Sequence, residues 1–293
     1  MQACILFTSS PPCFKKFDAI SALCKQYKLE KSHILSTDGG SCIATRCVIS
    51  RPFNLSTLRK QAAKHQIDVN CIDAEAKPKK LLIADMDATI IRGESLDKLA
   101  VLAGIGEEIS QITKRAMAGE LDFEEALAAR LKLLEGQPIS LLDTVVANTQ
   151  ITPGAKELVK TMRANGAACY LISGGFTFLT SVIAKKLCFT GHHANEIAIK
   201  QGRLLGFAKP PILGQRAKYN FLNQYLRKLK IEPADSICVG DGANDIMMLK
   251  AAGMGVAFEG KPALLKAIKV QISYSDLTAL LYLQGYSYHA IRH

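Results

Sequence analysis

Residues 81–90 read LLIADMDATI, an apolar run that ends abruptly in two carboxylates, Asp85 and Asp87, spaced i, i+2. Such a run suits a buried strand, and here it delivers two acids to the strand's C-terminal tip. Placing acids there costs free energy unless a cation or a reaction uses them. Neighbouring carboxylates also repel, and each raises the other's pKa unless a metal or a cationic substrate offsets the charge. Two readings survive that cost: a divalent-metal site, or a nucleophile paired with an acid/base.

Downstream, the pattern alternates between strands and helices. Strand candidates are residues 81–85, 167–173 (AACYLIS), 235–240 (DSICVG) and 255–258 (GVAF). This alternation predicts an α/β domain with a parallel sheet. The first three strands each end in a polar cluster, where an open α/β sheet places its ligand crevice. Residues 94 to about 150 break the alternation with helical patterns only, including EEISQITKRAMAGE (107–120) and FEEALAARLKLLEG (123–136). An all-helical insert after the first strand reads as a lid that excludes water and brings substrate-selecting side chains. Residues 275–290, SDLTALLYLQGYSYHA, predict an apolar helix packed on the core.

Upstream, Lys77-Pro78-Lys79-Lys80 reads as a linker, and residues 1–76 read as six short elements. They are a strand (ACILFTS), a helix (PPCFKKFDAISALCKQY), a hairpin of KSHILST and SCIATRCVIS, a helix (LSTLRKQAAKHQ) and a strand (DVNCID). Asp38-Gly39-Gly40 supplies the hairpin turn. The order is that of a ferredoxin-like split βαβ unit, a small α+β domain. It resembles the ACT-like modules, which implies amino-acid binding or a homodimer formed through this domain; a purely structural appendage fits the order of elements equally well.

Composition narrows the class. The chain has 293 residues, enough for two domains, and its 48% hydrophobic and 22% charged residues exclude wholesale disorder. No apolar run approaches a bilayer span and the N-terminus lacks a basic flank, so a soluble, cytoplasmic protein with no membrane partner is expected. Cys4, Cys24, Cys42, Cys47, Cys169 and Cys238 lie in apolar surroundings and predict buried, reduced thiols. The net charge of +11 is spread: residues 1–78 carry 11 basic and 6 acidic side chains, the remainder 26 and 20. Without a long basic run or interleaved aromatics, this favours anionic small molecules over a nucleic acid.

Four separated segments converge on one end of the predicted sheet: DMDAT (85–89), SGGF (173–176), Lys218 and GDGANDIMM (240–248). In this order and spacing they resemble the haloacid dehalogenase (HAD)-type phosphohydrolases, and within them the phosphoserine phosphatases. The likeness covers residues 80–270 and extends into the lid through AMAGELDF (116–123) and Arg130. It implies a Rossmann-like parallel-sheet core over residues 80–293 with a helical cap at about 94–150, Mg²⁺ as cofactor, and a phosphomonoester as substrate.

The residues make physical sense beside the resemblance. A phosphomonoester is dianionic, so an anionic nucleophile must be screened before it approaches, and Mg²⁺ does this with hard oxygen ligands. Asp85 and Asp241 suit its side-chain ligands. The resemblance implies the backbone carbonyl of Asp87 as a third, with Asp245 positioning the shell. Asp85 would be the covalent nucleophile, and Asp87 the acid that protonates the leaving oxygen and then activates water. Ser173 and the Gly174 N–H, read as opening a helix after a strand, suit a phosphate oxygen. Lys218 would add positive charge, and Asn244 takes its place from GDGAND.

Substrate choice must come from other groups. O-phospho-L-serine is zwitterionic and needs a carboxylate for its ammonium and a guanidinium for its carboxylate. Glu94 and Arg130 match the positions that supply them, with Met117 and Phe123 shielding the pocket. Glu94 as a helix cap, Arg130 as a solvated helical residue, and Met117 and Phe123 as simple core are the structural alternatives. The family's usual Ser after the second Asp is replaced by Ala88, a loss of one hydrogen bond worth roughly 0.5–1.5 kcal/mol, which predicts tuning rather than inactivation. Outside this reading stand a related phosphomonoesterase or phosphotransferase, and a non-catalytic amino-acid-binding regulator.

Overall fold

The computed structural model describes residues 3–36, 40–49, 53–117, 120–214 and 216–293; the side chains of Lys31, Ser32 and Met117 are not described. Asp38 and Gly39, two of the three expected turn residues, lie outside the described residues.

The N-terminal elements follow the anticipated order: β1 (Ala3–Ser9), α1 (Phe14–Tyr27), β2 (Glu30–Ser36), β3 (Ile43–Val48), α2 (Leu55–Ala63) and β4 (Asp68–Asp73). The strands pair antiparallel in the order β2-β3-β1-β4. Alternate residues of β1 enter two different cores, as the period of a strand requires. Ile5 and Phe7 pack with Ile20, Leu23 and Cys24 of α1 and Leu58 of α2. Cys4 and Leu6 face the other way, into a core they share with Leu280, Leu281 and Tyr282 near the C-terminus. The small sheet is therefore covered on both faces.

A second sheet begins at β5 (Leu81–Ala84). Four helices follow: α3 (Ser95–Leu102), α4 (Gly106–Met117), α5 (Phe123–Lys132) and α6 (Ser140–Ala147). Ile91 and Ile151 form an antiparallel bridge, so the chain leaves for these helices and returns at one place. The chain continues through α7 (Ala155–Ala164), β6 (Ala168–Phe176), α8 (Thr177–Leu187), β7 (Gly191–Lys200), β8 (Arg203–Lys209) and α9 (Ala217–Leu229). It closes with β9 (Ser236–Gly240), α10 (Ile246–Ala251), β10 (Met254–Phe258), α11 (Pro262–Ala267), β11 (Val270–Ile272) and α12 (Ala279–Leu283).

The strand order is β11-β10-β9-β5-β6-β7-β8, parallel except for β8, which runs antiparallel to β7. β5 is wholly buried, with Leu82 and Ala84 on one face and Leu81 and Ile83 on the other. From β5 the chain builds outward to β6 and β7 on one side, then returns to β9 on the other. Asp85 thus emerges at a topological switch point, where such sheets bind ligands.

Three features depart from the expectations. The 167–173 strand runs on to Phe176, because Phe176 pairs with Asn195 of β7. β7, β8 and β11 were not anticipated: β7 (GHHANEIAIK) carries polar residues where an apolar run is expected, and β11 has three residues. The C-terminal helix is shorter than 275–290; α12 has five residues, all buried.

The two sheets meet edge to edge. The side-chain amide of Asn70 on β4 donates to the Gln271 carbonyl of β11 and accepts from its N–H, both at 2.9 Å. Asp68 accepts from the Ser273 and Tyr274 N–H groups at 2.8 and 3.0 Å and from Ser275 Oγ at 2.7 Å. The six cysteines expected to be buried are so; Cys13, Cys71 and Cys188 are exposed. Among the described residues no helix is long and apolar enough to cross a membrane.

Candidate active site

Main-chain pairing fixes the first acid. Asp85 continues the ladder beyond β5 by donating its N–H to Val239 of β9 (3.0 Å), and its Oδ1 accepts from the Met86 N–H (2.7 Å). A tight turn follows, with Ala88 at φ +51°, a left-handed conformation that disfavours residues with a Cβ. The Ala88 N–H donates to the Gly93 carbonyl at 3.0 Å, which closes the turn. The small residue here therefore sits where bulk is least tolerated.

That turn aims Asp87 back at the sheet. Its Oδ1 accepts from the Ser95 N–H (2.7 Å) and its Oδ2 lies 3.4 Å from Ser173 Oγ. Burial and the nearby Glu94 push the Asp87 carboxyl up to about 6, against the Ser95 hydrogen bonds and Lys218. Ser95 Oγ is buried beside Asp87 and Ser173. A Cβ built on Gly175 would lie 2.7 Å from Asp87 Oδ2, 3.1 Å from Ser173 Oγ and 3.4 Å from Ser95 Oγ. Three oxygens thus converge on a point that only glycine leaves open.

Ser173 and Gly174 lie in β6, and α8 begins at Thr177, so Gly174 is not at a helix N-terminus as expected. Asn195 explains the longer strand: its side chain donates to the Gly174 carbonyl (2.8 Å) and accepts from the Leu213 N–H (2.7 Å). The same residue ties Gly174 to the loop that precedes Lys218.

Lys218, in the first turn of α9, is buried between two acids. Its Nζ lies 2.7 Å from Asp85 Oδ2 and 2.6 Å from Asp245 Oδ1. Burial works to lower its pKa, but Asp245 and Asp85 outweigh this and hold the ammonium above its ordinary range. Asp245 is held in turn by the Gly242 N–H at 3.1 Å, and Gly240 leaves no room for a Cβ beside its carboxylate.

Asp85, Asp241 and Asp245 offer carboxylate oxygens within 4.8 Å of one another, all buried. Three hard oxygen donors on one point are the chemistry of a divalent-cation site. The protein already meets this charge with ammonium groups, Lys218 on one side and Lys261, 2.9 Å from Asp241 Oδ2, on the other. The donor set fits a metal such as Mg²⁺.

The helical segment contributes the remaining groups. Glu94 stands at the N-cap of α3 but makes no side-chain capping bond; it pairs with Lys261 at 3.1 Å. Arg130 on α5 donates Nε to the Ala126 carbonyl and is half-buried beside Glu94 and the exposed Asp97, which oppose the lowering of its pKa by burial. Phe123 opens α5 behind an Asp122–Glu125 capping box and lies over Gly174, at which a Cβ would sit 3.2 Å from its ring. Asn244 lines a small cleft with Phe123, Ser173, Gly174 and Lys218. Met117 closes α4, and its side chain lies outside the described residues.

Ser95, Asp97, Asn195 and Lys261 escaped the sequence reading. Asp97 carried a usable signal, three residues beyond Glu94 on the same helical face. Lys261 carried none, because only the crossing from β10 to α11 brings it to the acids.

Comparison with known proteins identifies the family of the chain. The sequence profile of the haloacid dehalogenase-like hydrolases matches residues 79–253. A phosphoserine phosphatase of Archaeoglobus fulgidus is 36% identical over 225 residues, 76% of this chain and 65% of that one. One of Lactococcus lactis is 39% identical over 203 residues, 69% of this chain and 94% of its own. Among solved structures, an unliganded probable phosphoserine phosphatase of Vibrio cholerae superposes with a TM-score of 0.83 at 27% identity, covering 99% of this chain and 88% of that one. The chain thus spans just under two thirds of the Archaeoglobus protein's length and nearly all of the Lactococcus one.

Proposed function

The chain belongs to the haloacid dehalogenase-like hydrolases, and from that premise we propose that it is a Mg²⁺-dependent phosphatase that hydrolyses O-phospho-L-serine to L-serine and phosphate, the last step of L-serine biosynthesis. The observation that carries the chemistry is the buried Asp85–Lys218–Asp245 triad, with Asp87 beside Ser173 one turn away. Phosphoryl transfer asks mainly for positioning and charge stabilisation, and a fixed ammonium between carboxylates supplies both.

Asp85 attacks phosphorus, the bond from phosphorus to the substrate's side-chain oxygen breaks, and Asp87 gives that oxygen its proton. The product is an aspartyl-phosphate. Asp87, now ionised, takes a proton from water; that water attacks phosphorus, and the bond to Asp85 breaks to release phosphate. A carboxyl near pKa 6 suits both halves of this exchange. Ser173, the Gly174 N–H, Lys218 and Asn244 hold the phosphoryl oxygens. Asp85, Asp241 and the Asp87 backbone carbonyl would hold the Mg²⁺, with Asp245 ordering the shell; when bound, it supplies the positive charge that lets a dianion approach Asp85.

Glu94 and Arg130 support the serine assignment, since one takes an ammonium, the other a carboxylate, and they share one electrostatic cluster, in which Glu94 also acts on Asp87. Phe123 and Met117 would close the pocket. The same proposal takes residues 1–76 as an ACT-like domain through which a homodimer forms, residues 80–293 as the phosphatase domain, residues 94–150 as its cap, and the cytoplasm as its compartment.

The test is a Mg²⁺ assay of phosphoserine against an aryl phosphate. Arg130→Ala should cut kcat/KM for phosphoserine far more than for the aryl ester; equal losses would remove Arg130 from recognition. Asp85→Asn should abolish both turnovers.

A further inference from the structure

Lys261 is the cation that the phosphatase chemistry does not use, yet it sits at the junction of the two sites that would receive cations. Its Nζ lies 3.1 Å from Glu94 Oε1 and 2.9 Å from Asp241 Oδ2. Asp241 is buried, whereas the lysine side chain is 55% exposed and has solvent into which to swing. Its backbone is fixed: the Lys261 N–H donates to the Asp241 carbonyl at 2.8 Å, and two residues earlier Glu259 holds Arg92 through both oxygens at 2.7 and 2.9 Å. The ammonium can leave without unmooring the loop that carries it.

We infer that Lys261 is a resident counter-ion, which occupies Glu94 and Asp241 in the ligand-free protein and is displaced by the substrate's ammonium from the first and by the divalent cation from the second. The inference rests on Glu94 as the ammonium partner and Asp241 as a metal ligand. Without Lys261, Glu94 and Asp241 would face each other, Asp85 and Asp245 with Lys218 to offset the buried acids and Arg130 to offset Glu94. With it, the acids stay charge-balanced until ligands arrive, and each incoming cation must outcompete a tethered one. Lys261 acts through the acids it holds and is a positioning residue.

Lys261→Met keeps the apolar stem and removes the charge, and Lys261→Arg keeps the charge. Metal-free protein titrated with Mg²⁺ in a calorimeter should show a dissociation constant about two- to fivefold lower in Lys261→Met than in wild type, the range set by a half-exposed ion pair. Lys261→Arg should stay at the wild-type value. KM for phosphoserine should fall by a similar factor in Lys261→Met, with no fall for phosphoglycolate, which has no amine. A purely structural lysine would change thermal stability and neither of these. Unchanged or weaker Mg²⁺ binding in Lys261→Met overturns the inference, as does the absence of Mg²⁺ uptake by the wild type. If the wild type fails to turn over phosphoserine, the proposed substrate falls, while the Mg²⁺ titration still decides the role of Lys261. Lys261→Gln repeats the titration should the methionine variant misfold.

Discussion

Removing the Lys218 ammonium should expose how much of this fold depends on charge balance. Its side chain is 5% exposed and its partners Asp85 and Asp245 are 6% and 0% exposed, so water cannot replace the lost cation. Lys218→Met preserves the stem and leaves two buried carboxylates facing each other. Breaking a buried pair in this way costs about 3–5 kcal/mol. In urea unfolding with EDTA, that corresponds to a midpoint lower by roughly 2 M for a slope of about 2 kcal/mol per M. The variant can reduce the cost by protonating one acid, which raises that acid's folded-state pKa above its unfolded value. Stability gained that way is complete at low pH and is lost as pH rises through the raised pKa, so the deficit should be larger at pH 8 than at pH 5. Mg²⁺ should recover part of it, about 2.7 kcal/mol at a hundredfold excess over its dissociation constant. A variant within about 1 kcal/mol of wild type in EDTA, or a deficit independent of pH, would refute an ionised Asp85–Lys218–Asp245 network.

Gly175→Ala places a methyl 2.7 Å from Asp87 Oδ2 and should lower kcat by about a hundredfold in a steady-state assay, with a stability loss of about 1–3 kcal/mol in urea unfolding. Asp87, raised to about 6 from 3.8, stabilises the metal-free fold fully below 3.8 and loses that contribution as pH rises through 6; the gap is worth about 3 kcal/mol. Asp87→Asn should flatten the stability–pH curve across that window in EDTA, and an unchanged slope would place the titration elsewhere. Asn70→Ala strands the Gln271 N–H and carbonyl and should cost about 1–3 kcal/mol in urea unfolding, with kcat preserved.

The central strand and its acids were legible because burial on both faces leaves an unbroken apolar run, and a carboxylate ending such a run needs a reason. The six N-terminal elements were legible from period and turn chemistry. β7 was not, since its polar residues suit a strand near the edge of the sheet and a site-facing Asn195, and these leave no run to detect. The end of β6 was misjudged because Gly174-Gly175 looks like a helix start, while the pairing of Phe176 with Asn195 is a long-range fact. For the site, Asp87 was found by its spacing from Asp85 and the other candidates through the family resemblance, whereas Lys261 and Asn195 arrive from elements joined only by the fold. Ser95 was missed because its hydroxyl has meaning only beside Gly175 and Ser173.

The Asn70 amide has a consequence beyond holding two sheets together. Its carbonyl and NH₂ meet the N–H and carbonyl of Gln271 as a peptide group of a neighbouring strand would, so one side chain counterfeits the next strand of the ladder. β11 is the last strand on that side, and an uncovered terminal strand is a template for self-association. The N-terminal sheet therefore covers the β11 edge, and proteolytic trimming of residues 1–76 would bare that edge to other strands.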